Sequence, residues 1–187
     1  MVSQHTATEV RCHVLTFKEG LLSSIAHDLK IQVERCSLEY TTAQPTDSAD
    51  RADLVSIVAT FDPRSLRVVC ARHDGSDAPG VLSKQQCAEI EKHIQEDVLH
   101  SDRFPQIRFV SSQVGRAVGG GYDVTGELLL HGQKQTLRGS ARSQANRLLC
   151  QVPLRQTDFG IKPYSAMLGA LRIKPEILIE LSAAWLV

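Results

Sequence analysis

The sequence is poor in aromatic residues, at 5% with a single tryptophan, and it carries no excess of either charge. Its 21 Lys and Arg balance its 21 Asp and Glu. That excludes a nucleic-acid or anionic-membrane partner held by bulk electrostatics and leaves room only for local basic patches. No apolar run approaches the ~18 residues that a membrane-spanning helix needs, so no membrane span is expected. The five cysteines (Cys12, Cys36, Cys70, Cys87, Cys150) are scattered and odd in number, with no Cys-x-x-Cys pair. Such a set builds neither a disulfide framework nor a zinc site, and reads as reduced thiols used as small apolar side chains. Nucleophile motifs are missing: there is no Gly-x-Ser-x-Gly and no His-Glu-x-x-His, and Gly119-Gly120-Gly121 lacks the Lys and following helix of a phosphate loop. Residues Met1 to Glu9 contain neither a basic n-region nor an apolar h-region, so no secretory signal and a cytoplasmic location are expected.

What is present is alternation. With 187 residues, 42% hydrophobic and 22% charged, and with no internal repeat or linker, residues 1–187 read as one globular domain. Apolar side chains recur at every second position in Leu29/Ile31/Val33, Val55/Ile57/Ala59/Phe61, Leu66/Val68/Cys70, Ile107/Phe109/Ser111 and Tyr122/Val124/Gly126/Leu128/Leu130. The pattern continues through Leu137/Gly139/Ala141, Leu148/Cys150/Val152/Leu154 and Ile177/Ile179/Leu181. A further strand over Val10 to Phe17 brings the total to about eight or nine, the density of an all-β sandwich or barrel. Gly119 to Gly121 and His131 to Lys134 read as hairpin turns, and the polar stretch Thr41 to Asp53 as a surface loop.

One segment departs from period two. Ser83 with Gln86 three residues on opens a capping box, and Cys87, Ile90, Ile94 and Val98 recur at helical spacing. This predicts one amphipathic helix over about 83–99. Its stripe must lie on an apolar surface, either the outside of the sheet or the open end of a barrel, where it would act as a lid.

The stretch Tyr122-Asp123-Val124-Thr125-Gly126-Glu127-Leu128-Leu129-Leu130-His131-Gly132-Gln133-Lys134 resembles the signature of the YceI-like family, an aromatic-x-Val-x-Gly-x-Leu-x-Leu-x-Gly strand followed by a turn with Lys. Leu99 to Phe109, with Pro105 and Phe109, and the turn Asp158-Phe159-Gly160-Ile161 resemble two further segments of that family. Phe17, His27 and Phe61-Asp62 match it more loosely. The chain departs from the family in a shorter Leu99–Pro105 segment, a longer preceding helix, and Gln156 where an Arg is frequent. The resemblance implies an extended lipocalin-like antiparallel β-barrel of about eight strands, whose apolar cavity holds an isoprenoid, quinone-like or fatty-acyl lipid without cofactor, metal or catalysis. A closed sheet of about eight strands leaves an interior wide enough for one such ligand. The expected lining is Ile57, Ala59, Phe61, Ile107, Phe109, Leu128, Leu130, Leu137, Ile177 and Ile179, with Ile90 and Ile94 on the lid. Small residues Ala59, Gly126, Gly139 and Ala141 would keep the lumen open.

Two other functions remain at this stage. An enzyme of lipid or quinone metabolism would use His27, Asp28 or Asp158 at the cavity mouth, although His27 and Asp28, as neighbours on a strand, point to opposite faces. A structural barrel would be filled by its own side chains. His73-Asp74-Gly75 reads as a turn, and His93 and His100 lack a third ligand for zinc. The arginines Arg138, Arg142, Arg147 and Arg155 would bind an anionic headgroup or stand in solvent. Trp185, with Leu186 and Val187, would plug a barrel end or seed a homodimer.

Overall fold

Each alternating strand has one apolar face, and the chain hides these faces by curling its strands around a common axis. The computed structural model describes residues 2–20, 26–44, 53–118 and 120–185. Gly119, Leu186, Val187 and residues 45–52 of the expected surface loop lie outside the described residues. The first strands are β1 (Val2–Thr6), β2 (Arg11–Thr16), β3 (Lys18–Glu19), β4 (Asp28–Val33), β5 (Cys36–Ala43), β6 (Asp53–Phe61), β7 (Leu66–His73) and β8 (Ser76–Ala78). Helix α1 (Lys84–His93) follows, continued by a π-helical turn over Ile94–Val98. Then come β9 (Ile107–Arg116), β10 (Tyr122–Leu130), β11 (Gln133–Gln144), β12 (Arg147–Arg155), β13 (Ser165–Ala166), β14 (Leu171–Ile173) and β15 (Glu176–Ala184).

Twelve strands pair antiparallel in the order β1-β5-β6-β9-β10-β11-β12-β15-β2-β4-β7-β8, and β13-β14-β3 form a small second sheet. The ladder has two ends, yet the chain closes it. Strand β4 runs into β5 through the corner Glu34–Arg35, and β6 runs into β7 through the turn Pro63–Ser65. The two corners pair with each other: Glu34 N–H donates to the Ser65 carbonyl (3.0 Å) and Asp62 N–H to the Arg35 carbonyl (2.9 Å). They bridge the last β4–β7 pair, Val33 with Leu66, to the first β5–β6 pair, Cys36 with Phe61. Two bent staves, β4–β5 and β6–β7, therefore join β2, β9, β10, β11, β12 and β15 in an antiparallel barrel of about eight staves.

Side chains fix the double corner. Ser65 Oγ, fully buried, accepts the Arg35 N–H (2.9 Å) and donates to the Asp62 carbonyl (2.8 Å). Burial raises the Asp62 carboxyl, but the Arg64 N–H and the Arg35 guanidinium outweigh it and hold the group below its usual range.

One end of the barrel is packed shut. Trp185 lies against Tyr40 (ring centroids 4.9 Å apart) and Tyr122 (6.1 Å), above Leu38, Leu54 and Leu148. Its backbone N–H donates to the Asn146 carbonyl, so Trp185 is a plug and not an exposed seed for a dimer. At the opposite end the turn His131–Gly132 joins β10 to β11, with both residues at positive φ as a two-residue hairpin requires. The carbonyl of Phe159 can only accept, so His131 Nδ1 carries the proton shared with it (3.2 Å). His131 Nε2 then accepts from His100 Nδ1–H (3.1 Å), which ties the loop after the helix to the barrel rim.

The structure corrects several strand assignments. Strand β5 was not expected, because Thr42 occupies an inward position beside Leu38 and Tyr40 and blurs the alternation. A bulge between Thr41 and Thr42, opposite Val55, turns Leu54 inward and leaves Val55 45% exposed. A second bulge at Val69 places Cys70 opposite Lys30 on the outer face, while Val68 stays inward opposite Ile31. Gly126 does not open the lumen. The Phe109 ring covers it, and a Cβ there would overlap that ring and the Val110 carbonyl.

Two outcomes follow from these contacts. Ser65→Ala leaves the Arg35 N–H without its partner in a buried corner, while the Asp62 carbonyl keeps the backbone N–H of residue 65, and is expected to destabilise the fold by about 1–3 kcal/mol. Denaturant titration reads this as a lower midpoint at unchanged slope, and an unchanged midpoint would remove the corner from its structural role. Burial first, then His100 and Arg103, hold His131 below its ordinary value although its bond to Phe159 works the other way. A histidine so lowered lends stability that is complete above the unfolded value of about 6.5 and is lost as pH falls through the folded value. Wild type should therefore lose more stability than His131→Asn between neutral and mildly acidic pH, the Asn keeping the left-handed backbone. Parallel pH profiles for the two proteins would exclude His131 as the titrating group.

Candidate ligand cavity

Inside the barrel lies a cavity of about 560 Å³, within the usual range of small-molecule sites. Its walls are the inward rows of every stave, from Cys12 and Val14 on β2 through Leu29, Ile31 and Val33 on β4 to Ile177, Ile179 and Leu181 on β15. All twelve residues expected to line a lumen or its lid (Ile57, Ala59, Phe61, Ile90, Ile94, Ile107, Phe109, Leu128, Leu130, Leu137, Ile177, Ile179) face this one cavity. The small residues Ala59, Gly139 and Ala141 also face it, and keep its middle wide. Burial pushes the Cys12 thiol up to about 12 and raises that of Cys150 as well. Both therefore enter the wall as neutral, protonated groups.

The cavity opens at the end opposite Trp185, and the helix lies across it. The capping box forms as its sequence implies: Ser83 Oγ accepts the Gln86 N–H (3.2 Å), and Gln86 Oε1 accepts the Ser83 N–H (2.9 Å). The face turned to the lumen is Gln86, Glu89, Ile90, His93 and Ile94, spaced as neighbours on one side of a helix. Cys87, expected in that stripe, is half-buried but does not line the cavity. The π-helical turn, closed by Leu99 N–H on the Ile94 carbonyl (2.9 Å), carries Val98 and Leu99 back onto the lumen. Glu91 pins the helix to the wall: its Oε1 accepts the Val68 N–H (2.8 Å) beside the β7 bulge. Gln95 reaches the Arg64 carbonyl (3.3 Å), and the His93 ring meets Tyr164 (5.3 Å).

Polar groups gather around this mouth: Thr16, His27, Gln86, Glu89, His93, Gln156 and Tyr164. Thr16 Oγ1 is buried there and has no hydrogen-bond partner. Gln156, at the position where the family often has Arg, is buried and donates to the Lys174 carbonyl (3.1 Å). The contributions of Leu38, Tyr164, Leu171 and Ile173 were missed in the sequence. The first lies on the blurred strand β5, and the others flank short strands with no period to read.

The groups considered for catalysis are not assembled. His27 faces the cavity, but Asp28 Oδ1 accepts the Lys18 N–H (2.7 Å) and Asp158 is exposed, its carbonyl accepting from Gln135. His73 and Asp74 form an exposed pair at the β7–β8 turn. His93 pairs with Asp97 and His100 with His131, so those two histidines point to different partners. Among the described residues no group of three or more His, Cys, Asp or Glu is placed to hold a metal ion. Nor do the four arginines form a cluster. Arg138 alternates with the inward Leu137 and Gly139 and so points outward into solvent, Arg142 is exposed on the same strand, Arg147 bonds Glu9 and Ser182 at the plugged end, and Arg155 lies near Glu176 (3.5 Å) at the other. No helix among the described residues is long and apolar enough to cross a membrane.

Several solved structures share this architecture. BcnA of Burkholderia cenocepacia superposes with a TM-score of 0.64 at 16% identity, covering 94% of this chain and 95% of its own. A polyisoprenoid binding domain from Saccharophagus degradans, implicated in plant cell wall breakdown, gives 0.52 at 12% identity over 97% and 95%. The Campylobacter jejuni YCEI protein gives 0.52 at 13% over 85% and 86%. At these identities the likeness is one of fold. Among curated proteins none has a sequence that matches the chain. The YceI-like domain matches residues 13–185, from β2 to Trp185, and the chain belongs to that family.

Proposed function

We propose that this protein binds one long-chain lipid, an isoprenoid or a molecule of similar shape, in the barrel lumen, and carries or sequesters it without chemical change. The observation that carries this reading is the lumen itself: a long, apolar hollow, plugged at one end by Trp185 and covered at the other by a helix. Each methylene moved from water into such a wall contributes roughly 0.8 kcal/mol. A chain with more than about ten buried carbons thus offsets the several kcal/mol lost on association without an ionic anchor. Thr16, His27, Gln86 and Tyr164 at the mouth suit a polar head left near water, the tail lying toward the plug. The name of the Saccharophagus degradans domain, a polyisoprenoid binder, agrees with this class of ligand. A quinone-like or fatty-acyl ligand meets the same requirements.

Native mass spectrometry of the purified protein, followed by organic extraction, tests the reading. A discrete added mass that extracts as an isoprenoid or acyl chain is expected. A bare chain mass that persists after incubation with isoprenoids, quinones and fatty acids would overturn it. Ala59→Phe and Leu128→Phe fill the lumen without charge, so both are expected to abolish uptake or restrict it to shorter chains while the unfolding midpoint stays near wild type. Full-length ligand in either folded variant would mean that the lipid lies elsewhere.

A further inference from the structure

Beside the cavity mouth the segment Tyr164–Ile173 forms a hairpin closed at its base by Ile173 N–H on the Tyr164 carbonyl (3.0 Å). Its base belongs to the lumen: Tyr164, Leu171 and Ile173 line the cavity, and Tyr164 meets His93 of the lid. Its tip does the opposite of what an apolar tip should do in water. Met167 is 62% exposed and Leu168 is exposed at 109%, as fully as an isolated side chain. Both sit in the left-handed region, at φ 50° and 54°, ahead of Gly169 at 88°. Two consecutive side-chain-bearing residues held there strain the backbone, and here that conformation holds two apolar side chains away from the protein.

The hairpin is not a loose end. Strand β14 pairs with β13 and with β3, and Gly20 approaches the Ala170 carbonyl so closely that a Cβ there would overlap it. The hairpin's own segment carries charge of one sign. From residue 160 to residue 175 the chain carries Lys162, Arg172 and Lys174 and no carboxylate, in a protein whose total charge is zero. Asp158 and Glu176 bracket that segment, and Glu19 of β3 pairs with Arg172 (3.6 Å), which leaves Lys162 and Lys174 as its cations without a carboxylate in the segment itself.

We infer that the Met167–Leu168 tip docks the protein on an anionic lipid bilayer, with the cavity mouth facing the membrane. An apolar tip that enters the acyl boundary, carried on a segment whose cations meet phosphate headgroups, is an arrangement by which proteins attach to a bilayer surface. The inference rests on the lipid-carrier reading for its purpose, because a lipid passing between bilayer and lumen is shielded from water only if the mouth abuts the membrane. Its evidence, however, is the tip and its cations, which are independent of the lumen. The lid meets the hairpin there: His93 touches the hairpin base, next to Ile90 and Ile94 over the lumen.

Flotation with vesicles of about three parts phosphatidylcholine to one part phosphatidylglycerol tests the docking. Wild type is expected to float with these vesicles and to float less with pure phosphatidylcholine. Met167→Ser/Leu168→Ser is expected to bind the anionic vesicles about tenfold more weakly or worse, with an unchanged unfolding midpoint. The lumen-filling Ala59→Phe is expected to float as wild type does. That last arm separates the two claims: a protein that docks yet never yields a lipid by mass spectrometry keeps the docking and loses the carrier. Wild type that does not float, or a serine double variant that floats equally well, overturns the docking. So does a tip-dependent dimer or protein complex in place of vesicle binding.

Discussion

Ring closure at the double corner is the constraint from which the rest of this structure follows. If Glu34–Arg35 did not pair with Asp62–Ser65, β4–β7 and β5–β6 would be separate ends of an open sheet, and the inward rows would face water. The corner is held by backbone groups and one buried hydroxyl, packed beside the buried Pro63, so directional bonds fix its geometry. A bent stave also does what a straight one cannot. It lets one strand contribute Leu29, Ile31 and Val33 to one part of the wall and Leu38 and Tyr40 to another.

Closure leaves two ends, and the chain treats them differently. The plugged end is built from the single tryptophan and two of the three tyrosines, which is how a chain with few aromatics uses them. The other end is spanned by a helix and short loops fastened by a few polar bonds: the capping box, Glu91 on Val68, His100 on His131. Those bonds hold the lid at its edges and leave its underside over the hollow. The lid face mixes Gln86, Glu89 and His93 with Ile90 and Ile94, so it borders both water and the lumen, as a mouth requires.

The sequence made the inward faces legible because strand periodicity survives wherever pairing is regular. The row from Tyr122 to Leu130 is buried at each of its inward positions, and the twelve expected lining residues converge on one cavity. Legibility failed where the pairing slips. At Val55 and Val69 an extra residue reverses the faces, and nothing in a single strand announces that its partner is one residue shorter. It failed at Gly126 for another reason. A glycine on an inward row reads as empty space, but a ring from the neighbouring strand, Phe109, fills it. Thr42 hid a whole strand, because burial of a hydroxyl depends on a partner, here His5 Nε2 at 3.0 Å, that lies 37 residues away. The tip at Met167–Leu168 has no period, so its exposure could only be seen in three dimensions.

A cavity of this size is not a packing defect of the ordinary kind. Where a core residue is truncated, neighbours relax inward and recover part of the lost contact. Here the walls are strands held apart by a closed hydrogen-bonded ring, so Leu128 or Ile179 cannot move inward without breaking ladders on both sides. Their inner surfaces face the hollow rather than one another, so the contacts that complete their packing have to come from an occupant of the lumen. A ligand that fills the lumen restores those contacts without any wall residue changing place. On the proposed reading of the lumen, the rigidity that keeps the barrel from collapsing suits a flexible, apolar guest, because such a molecule adapts to the cavity rather than the reverse.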